Sequence, residues 1–295
     1  MPTESSAPET VRFPVTLADP TRTTVEIVAR LARPTGAAPA RPIWLFCLPG
    51  AGEDWRYWMH SHLGESFSEF ATALGYGVIA IDHLGTGESR YPGDAADLTF
   101  EMLAGAYDEI VRTVRERYTG SDGIVVAIGH SAGGGVAIAQ QGLLGSFDLV
   151  IDQGIPVGPF GGYSDPDEVR ILPSENGLVR LNFGPADEAQ WFMPDVPAHV
   201  VDHVGGALLP FLPAFLSLMS PGTLSGFAAR IECPVLEVFG EVDLAADPLA
   251  EAAYYLSAAD VTIHVERGVA HSHNNSPARH RLWGAVANWI WSRTR

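Results

Sequence analysis

The chain has 295 residues, 46% hydrophobic and 18% charged, with a mean hydropathy of +0.10, a globular composition too apolar for a disordered chain. Acidic residues outnumber basic ones 35 to 18, and the formal charge of −17 disfavours nucleic acid and anionic membrane surfaces as partners. Every basic residue among those 18 is arginine, so lysine Schiff-base chemistry and a P-loop lysine are excluded.

Residues 1–10 are expected to form a disordered tail, and they show no basic-then-apolar leader pattern. Val11–Ala18 and Thr24–Ala32, separated by the turn signal Asp19-Pro20, read as an antiparallel hairpin. Ile43–Leu48 is a continuous apolar run ending at Pro49-Gly50, as in a buried parallel strand. The periodicity then predicts a helix over Trp55–Leu74, a strand at Val78–Ile81 and a helix over Leu98–Tyr118. A strand at Ile124–Ile128, a small-residue helix at Ala132–Leu144 and a strand at Leu149–Ile151 follow. From Pro156 to about Arg230 the alternation stops, in a Pro-, Gly- and aromatic-rich stretch without a clear strand. It resumes with a strand at Val235–Phe239, a helix at Pro248–Leu256, a strand at Val261–Val265 and a helix at Pro277–Trp291. This order predicts an α/β fold: a mostly parallel sheet with helices on both faces, formed by residues 11–155 and 231–295, with 156–230 inserted above it as a mainly helical cap. Cys47 and Cys233 fall in runs read as strands and are expected to be buried free thiols. No apolar run reaches the ~18 residues of a membrane helix. The expectation is a soluble, cytoplasmic protein.

The strongest local signal is Gly129-His130-Ser131-Ala132-Gly133. As a bare G-x-S-x-G it is weak, but it sits between an apolar strand and a small-residue helix, the setting of a nucleophile elbow. A sharp turn there holds the serine in a strained conformation, and the two glycines leave room for the strand and helix to touch. Ser131 is the expected nucleophile, and the Ala132 amide at the helix start is an expected oxyanion donor. A serine hydroxyl needs a base. His271 follows the last strand, where sites form in open parallel sheets, with His273 as its close rival. The base needs a carboxylate, and Asp243 stands just past the preceding strand, with Asp152 as the alternative. The second oxyanion donor is expected in LPGAGEDW, residues 48–55, at the Ala51 amide. Trp55, Trp58, His130, Trp191, Phe192 and Phe211 are candidates to line a substrate pocket. His199 and His203 stand four apart but lack a third ligand, so no metal site is expected.

The run from LPGAG through DHLGTGES, GHSAGG and GEVD to the Ala-His of VAHSHN resembles the α/β-hydrolase superfamily, over roughly residues 40–155 and 230–295. The resemblance implies the α/β-hydrolase fold, a Ser131–His271–Asp243 triad and no cofactor. Many members carry His-Gly where this chain has Pro49-Gly50. LPGAG is instead similar to the oxyanion loop of thioesterases serving polyketide and peptide synthases, whereas DHLGTGES is closer to ordinary esterases and lactonases. The insertion matches the family's cap domain in position. The expected reaction is hydrolysis of a carboxylic ester or lactone of a hydrophobic small molecule through an acyl-enzyme. A thioesterase, a C–C hydrolase, a perhydrolase and a non-catalytic small-molecule binder stay open, as does a homodimer.

Overall fold

Eight strands make one sheet: β1 (Glu9–Thr16), β2 (Thr24–Ala32), β3 (Ile43–Leu48), β4 (Gly77–Ile81), β5 (Ile124–His130), β6 (Leu149–Gln153), β9 (Val235–Val242) and β10 (Val261–Ala270). β7 (Arg170–Pro173) and β8 (Val179–Asn182) form a separate antiparallel hairpin. The computed structural model describes residues 7–161, 170–182 and 185–295. In the large sheet the order is β1-β2-β4-β3-β5-β6-β9-β10; β1–β2 and β2–β4 pair antiparallel and the rest are parallel.

The strands β3 and β4 are apolar without a break because both their faces are covered, whereas β6 and β9 carry the acids Asp152 and Glu237. Side chains on a strand alternate in direction. Thus Trp44, Phe46 and Leu48 of β3 join one buried cluster, while Ile43, Leu45 and Cys47 join the other. The first cluster is closed by α3 (Phe100–Val114) and α4 (Ala132–Leu144), the second by α1 (Arg56–Met59), α2 (Phe67–Ala73) and α8 (Arg279–Arg293). A parallel sheet aims the carboxyl ends of β3, β5, β6, β9 and β10 at one edge, and the loops of interest gather there.

Four features depart from the sequence reading. The predicted helix over Trp55–Leu74 is two helices, because the chain turns at Gly64 (φ +103°) and α2 restarts in a capping box between Ser66 and Glu69. Glu9 and Thr10, expected in the tail, belong to β1 and pair with β2, while residues 1–6 of that expected tail lie outside the described residues. Cys233 precedes β9 instead of lying on a strand, half-buried, with the Gln141 side-chain amide 3.2 Å from its sulfur. β10 runs on to Ala270 through an irregularity between Glu266 and Ala270, where Gly268 takes φ +72°, so His271 stands directly at the strand's end.

The segment between β6 and β9 carries the β7–β8 hairpin as well as α5 (Pro185–Trp191), α6 (Ala198–Gly206), a 3-10 turn at Pro213–Met219 and α7 (Ser225–Ala228), so it is not wholly helical. Backbone bonds tie it to the sheet edge: Leu209 N–H donates to the Gly52 carbonyl (2.7 Å), His271 N–H to Gln190 (2.9 Å) and Ser272 N–H to Trp191 (3.0 Å). Among the described residues no helix is long and apolar enough to cross a membrane.

Candidate active site

Ser131 joins β5 to α4 with φ 51° and ψ −122°, a conformation an L-residue holds only when its surroundings force it. Its N–H donates to the Gln153 carbonyl (2.8 Å), and its own carbonyl accepts from Gly134 and Gly135 (2.9 and 3.2 Å). The flanking glycines are steric necessities. A Cβ on Gly129 would overlap the backbone of Gly133 and Gly134, and one on Gly133 would overlap the carbonyls of Leu48 and Pro49. Gly50 is similarly confined, since a Cβ there would stand 3.2 Å from that of Ser131.

Asp243, in the loop after β9, has a buried side chain that meets two imidazoles. Its Oδ1 accepts from His271 Nδ1 (2.6 Å) and the Leu244 N–H (2.8 Å); its Oδ2 accepts from His273 Nε2 (2.7 Å) and the Gly240 N–H (2.7 Å). Burial alone would raise the Asp243 pKa, but the His271 and His273 imidazoles outweigh it and hold the carboxyl well below the usual carboxylate range. An ionised carboxylate only accepts, so His271 must carry its proton on Nδ1. In the neutral ring Nε2 is then the lone pair, and that atom is buried without a hydrogen-bond partner among the described residues. Gly154 (φ +87°) closes over the pair; a Cβ there would stand 2.9 Å from His271 Nδ1.

Ser131 and His271 line the same pocket, together with Ala51 and Ala132. The rest of the lining is apolar: Ile155, Phe160, Trp191, Phe211, Phe215, Leu216, Leu218, Met219 and Leu244. The indole of Trp191 meets the His271 ring edge-on, with centroids 5.0 Å apart at 86°.

Residues 45–280 match the model of the alpha/beta hydrolase family. The chain belongs to that family. Solved structures share the fold at low identity. An esterase from Thermogutta terrifontis is 18% identical, with a TM-score of 0.65 over 97% of this chain and 100% of its own. A soluble variant of monoglyceride lipase from Saccharomyces cerevisiae is 13% identical, with a TM-score of 0.72 over 100% and 99%. The N-acyl homoserine lactonase AidH is 15% identical, with a TM-score of 0.63 over 98% of each chain. No curated protein matches the sequence.

In this alpha/beta hydrolase the other candidate residues divide sharply. Trp191 and Phe211 line the pocket; Trp55, Trp58, His130 and Phe192 do not. Trp58 is wholly buried between Tyr57 and Phe67, on the side of the sheet away from α4. Trp55 lies under the Arg30 guanidinium, and its N–H donates to Asp82 (3.2 Å). Phe192 packs with Val196 and Val200 in a small cluster of the inserted segment. Aromatic content alone did not reveal which of these faces the pocket.

His130 is completely buried and stacks on Tyr57, with centroids 4.3 Å apart. Its Nε2 donates to the His271 carbonyl (2.8 Å), and its Nδ1 meets the Glu53 carboxyl (2.9 Å). Burial pulls the His130 pKa down, but the Glu53 carboxylate prevails and raises it. Glu53 also accepts from the Gly50 N–H (2.8 Å), so this pair links the loop after β3 to the backbone of His271. The sequence reading missed Glu53; an acid three residues beyond Gly50 was the available signal. The alternative acid, Asp152, sits beside Glu237 on the neighbouring strand and not beside a histidine. Burial first, and then Glu237, raises the Asp152 pKa well above normal. Glu237 in turn accepts a hydrogen bond from the Tyr255 hydroxyl. His199 and His203 share α6, and His203 packs against His62. Among the described residues no cluster of three or more His, Cys, Asp or Glu is arranged to hold a metal.

Proposed function

We propose that this chain is a serine hydrolase that cleaves a carboxylic ester or lactone of an uncharged, hydrophobic small molecule through an acyl-enzyme. One observation carries the reading. His271, oriented by Asp243 and with its Nε2 not hydrogen-bonded among the described residues, lines the same apolar pocket as the strained Ser131.

Ser131 Oγ attacks the substrate carbonyl carbon while its proton passes to His271 Nε2. The hydroxyl is not bonded to His271 in the free protein, and side-chain rotation on substrate binding makes that contact. The carbonyl oxygen becomes an oxyanion, held by the amides of Ala51 and Ala132, two residues that line the pocket. Collapse breaks the C–O bond, and His271 gives its proton to the departing alkoxide. Water then attacks the acyl-enzyme, its proton goes to His271, and collapse returns the proton to Ser131. Asp243 stays ionised throughout and stabilises the imidazolium.

The substrate class follows from the lining. Apart from Ser131 and His271, no described side chain around the pocket can pair with a charge or donate a strong hydrogen bond at close range, except the Trp191 indole. The segment 156–230 acts as the cap, contributing Phe160, Trp191, Phe211, Phe215, Leu216, Leu218 and Met219. The test is turnover of a panel of aryl and alkyl esters, lactones and acyl-thioesters by the wild-type chain and Ser131→Ala. Turnover of apolar esters or lactones that Ser131→Ala abolishes supports the reading. Equal turnover by both proteins overturns it.

A further inference from the structure

Asp243 is shared evenly between two imidazoles: His271 Nδ1 reaches Oδ1 at 2.6 Å and His273 Nε2 reaches Oδ2 at 2.7 Å. We infer that His273 is a positioning residue of the catalytic site: it fixes the rotation of the Asp243 carboxylate and draws off part of its charge, so that His271 binds its proton less tightly than an unshared carboxylate would make it. This rests on the reading of Asp243 and His271 as the working pair.

The protonation state of His273 is fixed by its surroundings. It is wholly buried, and an ionised carboxylate only accepts, so Nε2 must be a donor. Its Nδ1 is buried without a hydrogen-bond partner among the described residues. A second proton would therefore place an N–H where no described residue accepts it, at the cost of an unsatisfied buried donor. Burial lowers the His273 pKa, and the opposing pull of Asp243 does not cancel that effect. The ring is therefore neutral and donates one hydrogen bond to a full negative charge.

The turn that carries the ring is also anchored. The turn His273–Asn275 is pinned because the Asn274 side chain donates to the Tyr57 carbonyl (3.1 Å) and accepts from Trp283 Nε1 (2.8 Å). Other titratable groups reach this cluster from four further segments. His130 of β5 meets the His273 ring at 5.6 Å, with Glu53 from the loop after β3 behind it. Tyr57 of α1 and Asp152 of β6 both feel the Asp243 charge. Among the described residues, only His271 and His273 hydrogen-bond Asp243 through side chains.

A donor on the far oxygen stabilises the carboxylate and weakens its hold on the His271 proton, because hydrogen bonds to an ionised acceptor are strong and compete for the same charge. Removing that donor should tighten proton binding at His271. His273→Leu removes it at nearly constant volume; His273→Gln keeps an N–H at about the Nε2 position. The experiment follows the imidazole resonances of His271 and His273 by NMR against pH, in the wild-type chain and both variants, each carrying Ser131→Ala so that no activity is needed. In the wild-type background His273 should show the Nε2–H neutral tautomer. In His273→Leu the His271 titration midpoint should rise by about half a pH unit or more, a threefold or greater tightening, and His273→Gln should bring it back. An unmoved midpoint in His273→Leu overturns the proposal, and so does a wild-type His273 that carries its proton on Nδ1. The second result needs no variant and decides the matter if His273→Leu does not fold. On the active chain, the acid limb of the kcat/KM profile should shift the same way. If the chain hydrolyses no ester at all, the catalytic reading fails while the NMR result still decides the role of His273.

Discussion

Replacing Asp243 by asparagine keeps the shape and removes one acceptor. In the native protein four donors converge on its two oxygens: His271 Nδ1 and the Leu244 N–H on one, His273 Nε2 and the Gly240 N–H on the other. An amide has a single oxygen, so whichever way the new side chain turns, its NH2 faces two donors. If the NH2 faces His271, that imidazole moves its proton to Nε2 and can no longer take one from Ser131. A wrong tautomer of this kind costs about 10³–10⁴ in kcat. If it faces His273 instead, the Gly240 N–H is left buried and unpaired, at about 1–3 kcal/mol. Either way the melting temperature should fall by about 3–10 °C for a chain of this size. The assay is kcat/KM on an apolar ester beside a thermal melt of the same preparation. A variant that keeps more than about a tenth of wild-type activity and also melts at the wild-type temperature refutes the donor count, and an Asp152→Asn variant that loses more activity than Asp243→Asn refutes the choice of acid.

Three further outcomes are expected. Gly129→Ala should be poorly soluble or melt at least about 6 °C lower, because its methyl overlaps the Gly133–Gly134 backbone and no side chain can yield; a wild-type melting curve would contradict this. His83 is buried, donates from Nε2 to the Pro49 carbonyl (2.8 Å) and meets the Tyr107 hydroxyl at Nδ1 (3.0 Å), and burial lowers its pKa to about 4. The unfolded chain takes up this proton near pH 6.5 and the folded one only near 4, so about 3 kcal/mol of stability present above pH 6.5 is lost as pH falls towards 4; urea melts at pH 7 and 4.5 should show the loss, and His83→Asn should flatten it. Trp191→Ala should raise KM for apolar esters about three- to tenfold by removing the edge contact on His271 and part of the pocket wall, measured by steady-state kinetics.

Much of this fold was written in local patterns. Continuous apolar runs marked β3 and β5 because a strand covered on both faces has little polar side to display. The elbow was legible because steric demand leaves glycine on both sides of Ser131. His271 and Asp243 stood out by their place after strands, and in the structure they are hydrogen-bonded. The β7–β8 hairpin escaped notice because each strand is only four residues long and its surroundings are rich in Pro and Gly. The pocket escaped for a different reason. Trp58 and Trp191 look alike in sequence, and only the packing of α1 beneath the sheet and of α5 above it turns one into core and the other into lining. The partnerships of His130 with Glu53, across 77 positions, and of His273 with Asp243, across 30, are long-range pairings that local patterns do not specify.

The central claim is that Ser131 is a nucleophile activated by His271. Peptide mapping by mass spectrometry after exposure to a fluorophosphonate tests it most directly. One adduct on Ser131, lost in His271→Ala, is the predicted result. An unlabelled Ser131 in the folded wild-type chain, or labelling that survives His271→Ala unchanged, contradicts it.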